Sequence, residues 1–171
     1  ECTQMVPFMV WAYRNGSQEE FPNQDYYDQQ QIDSINYQYL TDSLKGICSP
    51  VGEAWKQCTY EKPWIVLHDD DGSHSSVYGN YLAACVFYTV FFDESPAGLF
   101  YPTEIEDTTA EYLQELAADV VFQNKTKWRA GVDAPNILPV INSPKNEIIP
   151  ALLEVELKWN AVPTVSSYDI Q

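Results

Sequence analysis

Apolar and polar positions fall in blocks along this chain, and each block predicts an element. Met5 to Tyr13, MVPFMVWAY, is a short continuous apolar run closed by Arg14-Asn15-Gly16. Such a run predicts a strand buried on both faces, of the parallel-sheet kind. A polar, Gln-rich stretch follows as a loop. From about Asp28 to Leu44, Ile32, Ile35, Tyr39 and Leu40 recur at helical spacing. That predicts a helix with at least Tyr39 on its buried side and Gly46 as its C-cap. ICSPVGEAW then reads as a very short strand, a turn at Ser49-Pro50 and a small helix.

The longest apolar block runs from Val77 to Phe92, interrupted only by scattered residues such as Asn80 and Thr89. Without a polar stripe it predicts a helix buried nearly all round, with Ser75 or Ser76 as N-cap and Leu82, Cys85, Val86 and Thr89 inside. Its β-branched and aromatic content leaves a strand open as the alternative. Pro96 and Gly98 break the chain. The next segment, TTAEYLQELAADVV, pairs Thr108 with Glu111 as a capping box and places Leu113, Leu116, Ala117, Val120 and Val121 on one face. Strand and helix alternate, which predicts an α/β layered domain over residues 1–130 that closes near Asn124.

At about Gly131 the pattern changes. Pro-rich APNILPVINSPKNEIIP leads into LEVELKW, where Leu153, Val155, Leu157 and Trp159 alternate with Glu154, Glu156 and Lys158. Alternation of that kind is a half-buried antiparallel strand. Residues 131–171 therefore read as a linker and the opening of a second, all-β domain. Both ends of the chain fall in strand-like runs, so the sequence reads as a piece of a longer polypeptide. The lack of an N-terminal leader then says nothing about secretion.

Composition narrows the partners. Twenty-five acidic residues face nine basic ones, for a net charge of −16. That field repels nucleic acid and anionic membrane surfaces. No apolar run approaches the roughly 18 residues of a membrane span. The four cysteines, Cys2, Cys48, Cys58 and Cys85, show neither CxxC nor metal spacing. Cys85 sits in the apolar block as a small buried hydrophobe, while Cys48 and Cys58 read equally as a bridge or as two thiols. Oligomeric state is left open.

Both histidines of the chain lie in LHDDDGSHSS, and the second, His74, sits between an acidic run and the long apolar block. Three readings of it stand. His74 is a capping or packing residue in a solvated loop; or Asp69, Asp70, Asp71 and His74 are metal ligands; or Asp71 and His74 are a catalytic pair. The metal reading lacks a second cluster to complete the sphere. In the catalytic reading, a serine hydrolase needs a base for the serine proton and a carboxylate that fixes the imidazole tautomer. Asp71-Gly72-Ser73-His74 puts both on one tight turn.

DDDGSHSSVYGNYLAACVFYTVFFDESPAGL resembles the last catalytic block of the SGNH (GDSL-like) hydrolase superfamily. There a D-x-x-H turn, often followed by Pro-Ser, a Gly and a small-residue helix, supplies the base and its orienting acid. FMVWAYRNG and SPVGEAW are similar to the strand and turn that precede that block in bacterial members, so the resemblance covers about Met5 to Asn124. It implies the C-terminal portion of a three-layer α/β/α sandwich (flavodoxin-like), and ester hydrolysis with His74 as base and Asp71 as orienter. Ser75 stands where the family usually has Pro. The family's G-D-S nucleophile block and its oxyanion Gly and Asn have no counterpart here, so the resemblance implies a nucleophile outside the chain. The tail resembles the opening of a fibronectin type III domain, with Trp159 in the core and Tyr168 starting the next strand, which implies a partial β-sandwich. Together the two imply a secreted or cell-surface bacterial esterase acting on a small-molecule or carbohydrate ester, such as an O-acetyl sugar, with no cofactor and no metal. The rival is a non-catalytic surface protein, carbohydrate-binding or adhesive, that keeps the fold.

Overall fold

The carboxylate of Asp25 accepts from the backbone N–H groups of Tyr27 and Asp28, and Asp28 in turn accepts from the Asp25 N–H. This reciprocal cap starts helix α1 (Tyr26–Leu44). The structure is a computed structural model that describes residues 4–17 and 22–130, together with the backbone at 141–143 and 158–159. Four more helices follow: α2 (Val51–Glu61), α3 (Val77–Phe92), α4 (Asp107–Phe122) and α5 (Lys125–Trp128).

The face of α1 is the reverse of the one its apolar spacing predicts. Tyr26, Gln30, Ser34 and Thr41 are buried, whereas Ile32, Ile35, Tyr39 and Leu40 face solvent, with Tyr39 76% exposed. The reason lies in what α1 packs against. Residues 5–12 run extended beneath it, and their backbone groups need partners once buried. Gln30 supplies them: its Oε1 accepts from the Ala12 N–H at 2.8 Å, and its Nε2 reaches the Val10 carbonyl at 3.4 Å. Ser34 donates to the Gln30 carbonyl at 2.7 Å and also bonds the Glu53 carboxylate. An apolar face would leave the backbone of 10–12 unsatisfied.

The three-layer α/β/α sandwich is overturned: the described residues are mostly helical and form no multistranded sheet. Residues 5–9 and 47–49 share a single parallel bridge, Phe8 with Ser49, through Ser49 N to Pro7 O and Met9 N to Ser49 O, both 3.0 Å. Ile47 N also reaches Met5 O at 3.0 Å, but toward the C-terminus strand pairing stops at Ser49 for a physical reason. Pro50 has no N–H and opens α2 at once. At Ala12 side chains occupy both backbone groups, Gln30 the N–H and the His68 ring the carbonyl, at 2.8 and 2.9 Å. Nor is the apolar run buried on both faces: Met9 and Ala12 are enclosed, but Met5, Phe8, Val10 and Tyr13 are exposed.

The core lies between α2, α3 and α4. Val51, Ala54, Trp55 and Cys58 of α2 meet Leu82, Cys85, Val86 and Val90 of α3 and Leu113, Leu116, Ala117, Val120 and Val121 of α4. Burying each large aliphatic side chain contributes about 1.5–3 kcal/mol. Ser76 caps α3, its Oγ accepting from Gly79 N at 3.3 Å and donating to Val66 O at 2.7 Å. Gly79 is required, since a Cβ there would lie 2.4 Å from both the Leu67 carbonyl and the Trp55 ring. One side of α3 stays open, with Val77, Phe91 and Phe92 exposed. The capping box read at Thr108 does not form, because α4 starts after Glu106 and has no side-chain cap. Gln114 instead latches the preceding loop, bonding Tyr81 OH, Leu99 O and Gly98 N at 2.6, 3.0 and 2.9 Å. Cys48, Cys58 and Cys85 are free, buried thiols.

The described part of the tail is one short antiparallel pair, β1 (Ile141–Ser143) with β2 (Lys158–Trp159), not a partial β-sandwich. The strand face read at Leu153, Val155 and Leu157, and Tyr168, lie outside the described residues, as does Cys2.

Candidate active site

Residues 67–76 form a loop closed at its neck by Ser76 N to Leu67 O and Asp69 N to His74 O, both 2.8 Å. The tip turns through Gly72 N to Asp69 O at 2.9 Å, with Gly72 at φ +71°, a conformation that favours glycine. Asp71 organises the tip. Its Oδ1 accepts from the backbone N–H groups of Ser73 and His74 at 2.8 and 2.9 Å, and its Oδ2 accepts from His74 Nδ1 at 2.5 Å. The spacing of three residues thus brings Asp71 and His74 together on a loop, although not at the edge of a sheet.

The electrostatics follow from those bonds. The His74 side chain, then the Ser73 and His74 N–H groups, hold the Asp71 carboxyl well below the usual carboxylate range. The Asp71 carboxylate in turn raises His74 above its ordinary value. His74 is 82% exposed, and among the described residues its Nε2 has no hydrogen-bond partner. With Nδ1–H given to the carboxylate, Nε2 presents a lone pair to solvent, the tautomer a general base requires. No described hydroxyl engages it: Ser75 donates to Asn80 at 2.6 Å and Ser76 to Val66 O. The Asp69 carboxylate accepts from Asp70 N at 2.8 Å. The described residues include no cluster of three or more His, Cys, Asp or Glu placed to hold a metal ion.

Three residues that the sequence reading does not assign to the site build the support. Trp11 Nε1 donates to Ser73 O at 2.9 Å, and Arg14 N donates to Gly72 O at 2.9 Å. The Arg14 guanidinium bonds the carbonyls of His68, at 3.1 Å, and Asp69. His68 itself is buried, edge-on to Trp55 and Tyr26, with Nε2 donating to the Ala12 carbonyl. Burial lowers its pKa. The one available signal was an arginine closing an apolar run.

No protein-family model matches the chain, and no curated protein matches it. Among solved structures, the chain is similar to the crystal structure of a DUF4886 family protein from Bacteroides uniformis ATCC 8492, with a TM-score of 0.62 and 18% identity. The match covers 72% of this chain and 50% of that one, so the chain spans about half of that protein's length. At this identity the likeness concerns the fold alone. No helix among the described residues is long and apolar enough to cross a membrane.

Proposed function

We propose that this chain supplies the base and orienting acid of a serine ester hydrolase of the SGNH (GDSL-like) type, the nucleophilic serine and oxyanion donors coming from outside these 171 residues. The observation that carries the reading is the 2.5 Å contact of His74 Nδ1 with Asp71 Oδ2, with Nε2 left open. In the reaction His74 Nε2 takes the serine proton as the oxygen attacks the ester carbon. The Asp71 carboxylate stabilises the imidazolium, which then gives its proton to the leaving alcohol. Water clears the acyl-enzyme by the same route. The substrate class, a small-molecule or carbohydrate ester such as an O-acetyl sugar, and a secreted or cell-surface location rest on the resemblance and on the character of the tail.

One observation favours a second reading, a non-catalytic carbohydrate-binding protein. An open groove of about 340 Å³ on α1 and α2 is flanked by Tyr27 and Tyr60 and lined by Glu53, Lys56 and Gln57. Hydrolysis of an activated acetyl ester separates the two. In a longer polypeptide that contains a G-D-S block, His74→Ala should lower turnover by about 10⁴-fold or more, with the circular dichroism spectrum unchanged. Turnover that survives His74→Ala removes the assignment.

A further inference from the structure

Four contacts turn one side of the 68–73 loop inward. The carbonyls of His68, Asp69, Gly72 and Ser73 all accept from the 11–14 segment: two from the Arg14 guanidinium, one from the Arg14 N–H and one from the Trp11 indole. With its carbonyls held on that side, the loop presents the Asp71 carboxylate and the His74 ring on the other, where both are exposed. Trp11 is itself fixed, stacked on the fully buried Trp55 with ring centroids 4.0 Å apart and planes 5° apart. The loop is thus referred to the core through one aromatic pair. Gly72 serves the turn through its φ of +71° rather than through space, since a Cβ there would meet Arg14 Cβ at an ordinary 3.4 Å.

We propose that Trp11 and Arg14 are positioning residues for the Asp71–His74 pair, setting the carboxylate-to-imidazole contact from outside the loop. The proposal rests on the reading of that pair as base and orienter. A three-residue turn by itself samples several χ angles at both side chains. Fixing four of its carbonyls removes backbone freedom, so the 2.5 Å contact becomes the populated state. Arg14 suits the task because a single guanidinium nitrogen, Nη2, reaches both carbonyls with its N–H bonds fixed in the plane of the group, whereas the donors of an ammonium rotate freely.

Titration of the His74 ring by NMR in the 171-residue chain tests both levels separately. The charged groups acting on His74 are Asp71 and Asp69. Arg14→Lys keeps the charge of Arg14 and removes the planar Nη2 donor. Trp11→Phe removes the indole donor and keeps a ring on Trp55. In the parent chain His74 should titrate above its ordinary 6.5, and Asp71→Asn should bring it back. Trp11→Phe and Arg14→Lys should each move it downward toward that value, and neither should move it further in the Asp71→Asn background. Should Asp71→Asn shift His74 while both other variants leave it in place, with only the melting temperature lowered, Trp11 and Arg14 are mere structural braces. The proposal then fails and the pair stands. Should His74 titrate ordinarily in the parent chain, the pair itself fails and the proposal with it.

Discussion

Asp71 engages both carboxylate oxygens within three residues of itself, two backbone N–H groups on one and the imidazole on the other. A carboxylate so solvated by donors stays ionised, and it keeps His74 protonated to higher pH than a free histidine. A protonated imidazole is no base. In a complete hydrolase kcat/KM should therefore rise with pH through the raised His74 value. His68 behaves in the opposite sense, because burial disfavours its charged form. The unfolded chain then binds a proton that the native chain resists, so stability present above the ordinary histidine value of 6.5 is lost as pH falls through the depressed native value. Urea midpoints measured between neutral and mildly acidic pH should fall, and His68→Gln should flatten that dependence. An unchanged slope in His68→Gln would show that another group carries the effect.

Helix α1 shows how an element's existence and its orientation separate. Its apolar residues, recurring at helical spacing, make a helix readable from sequence. They do not reveal which face is buried, because hydrophobic spacing assumes an apolar neighbour. Here the neighbour is a stretch of backbone, and Gln30 satisfies it. Gln30→Leu should cost about 1–3 kcal/mol by leaving the buried Ala12 N–H unpaired, seen as a lower denaturant midpoint despite the added hydrophobicity. Ile35→Glu, at a position 59% exposed, should stay within about 0.5 kcal/mol of the parent. A large loss at Ile35 would mean that α1 buries its apolar face after all. Helix α4 is the contrasting case: its neighbours α3 and α2 are apolar, and Leu113, Leu116, Ala117, Val120 and Val121 are all buried, as their spacing predicts.

At the scale of the whole molecule, the described residues form a helical body that carries the exposed Asp71–His74 pair on a braced loop. On the proposed function it supplies two of the three groups of a serine-hydrolase centre, and among the described residues no hydroxyl engages His74 Nε2. On the proposed function, the 171-residue chain alone should not hydrolyse an activated acetyl ester at a rate that depends on His74. Oxyanion donors alone are worth about 10²–10³ in rate, and the nucleophile is missing as well. The check compares the purified chain with its His74→Ala variant. Turnover well above buffer that vanishes in the variant would place a nucleophile within these residues.

Features set by near neighbours in the chain were legible in the sequence. The Asp71 turn closes on bonds spanning two and three residues, and Ser76 caps α3 across three. The bonding partners in both lie within the same turn, although what holds the Asp71 turn in place comes from elsewhere. The strand-like run from Met5, the short strand before Pro50 and their expected sheet were not settled in this way, because pairing depends on groups far apart in sequence. His68 reaches Ala12 across 56 residues, and with Gln30 it occupies the backbone groups a further strand would need. The support of the candidate site belongs to the same class, with Trp11 bonding Ser73 across 62 residues and Arg14 bonding Asp69 across 55. A local pattern encodes which groups a turn can bring together. Only the packed chain decides which way that turn faces, because the donors that hold its carbonyls come from another segment.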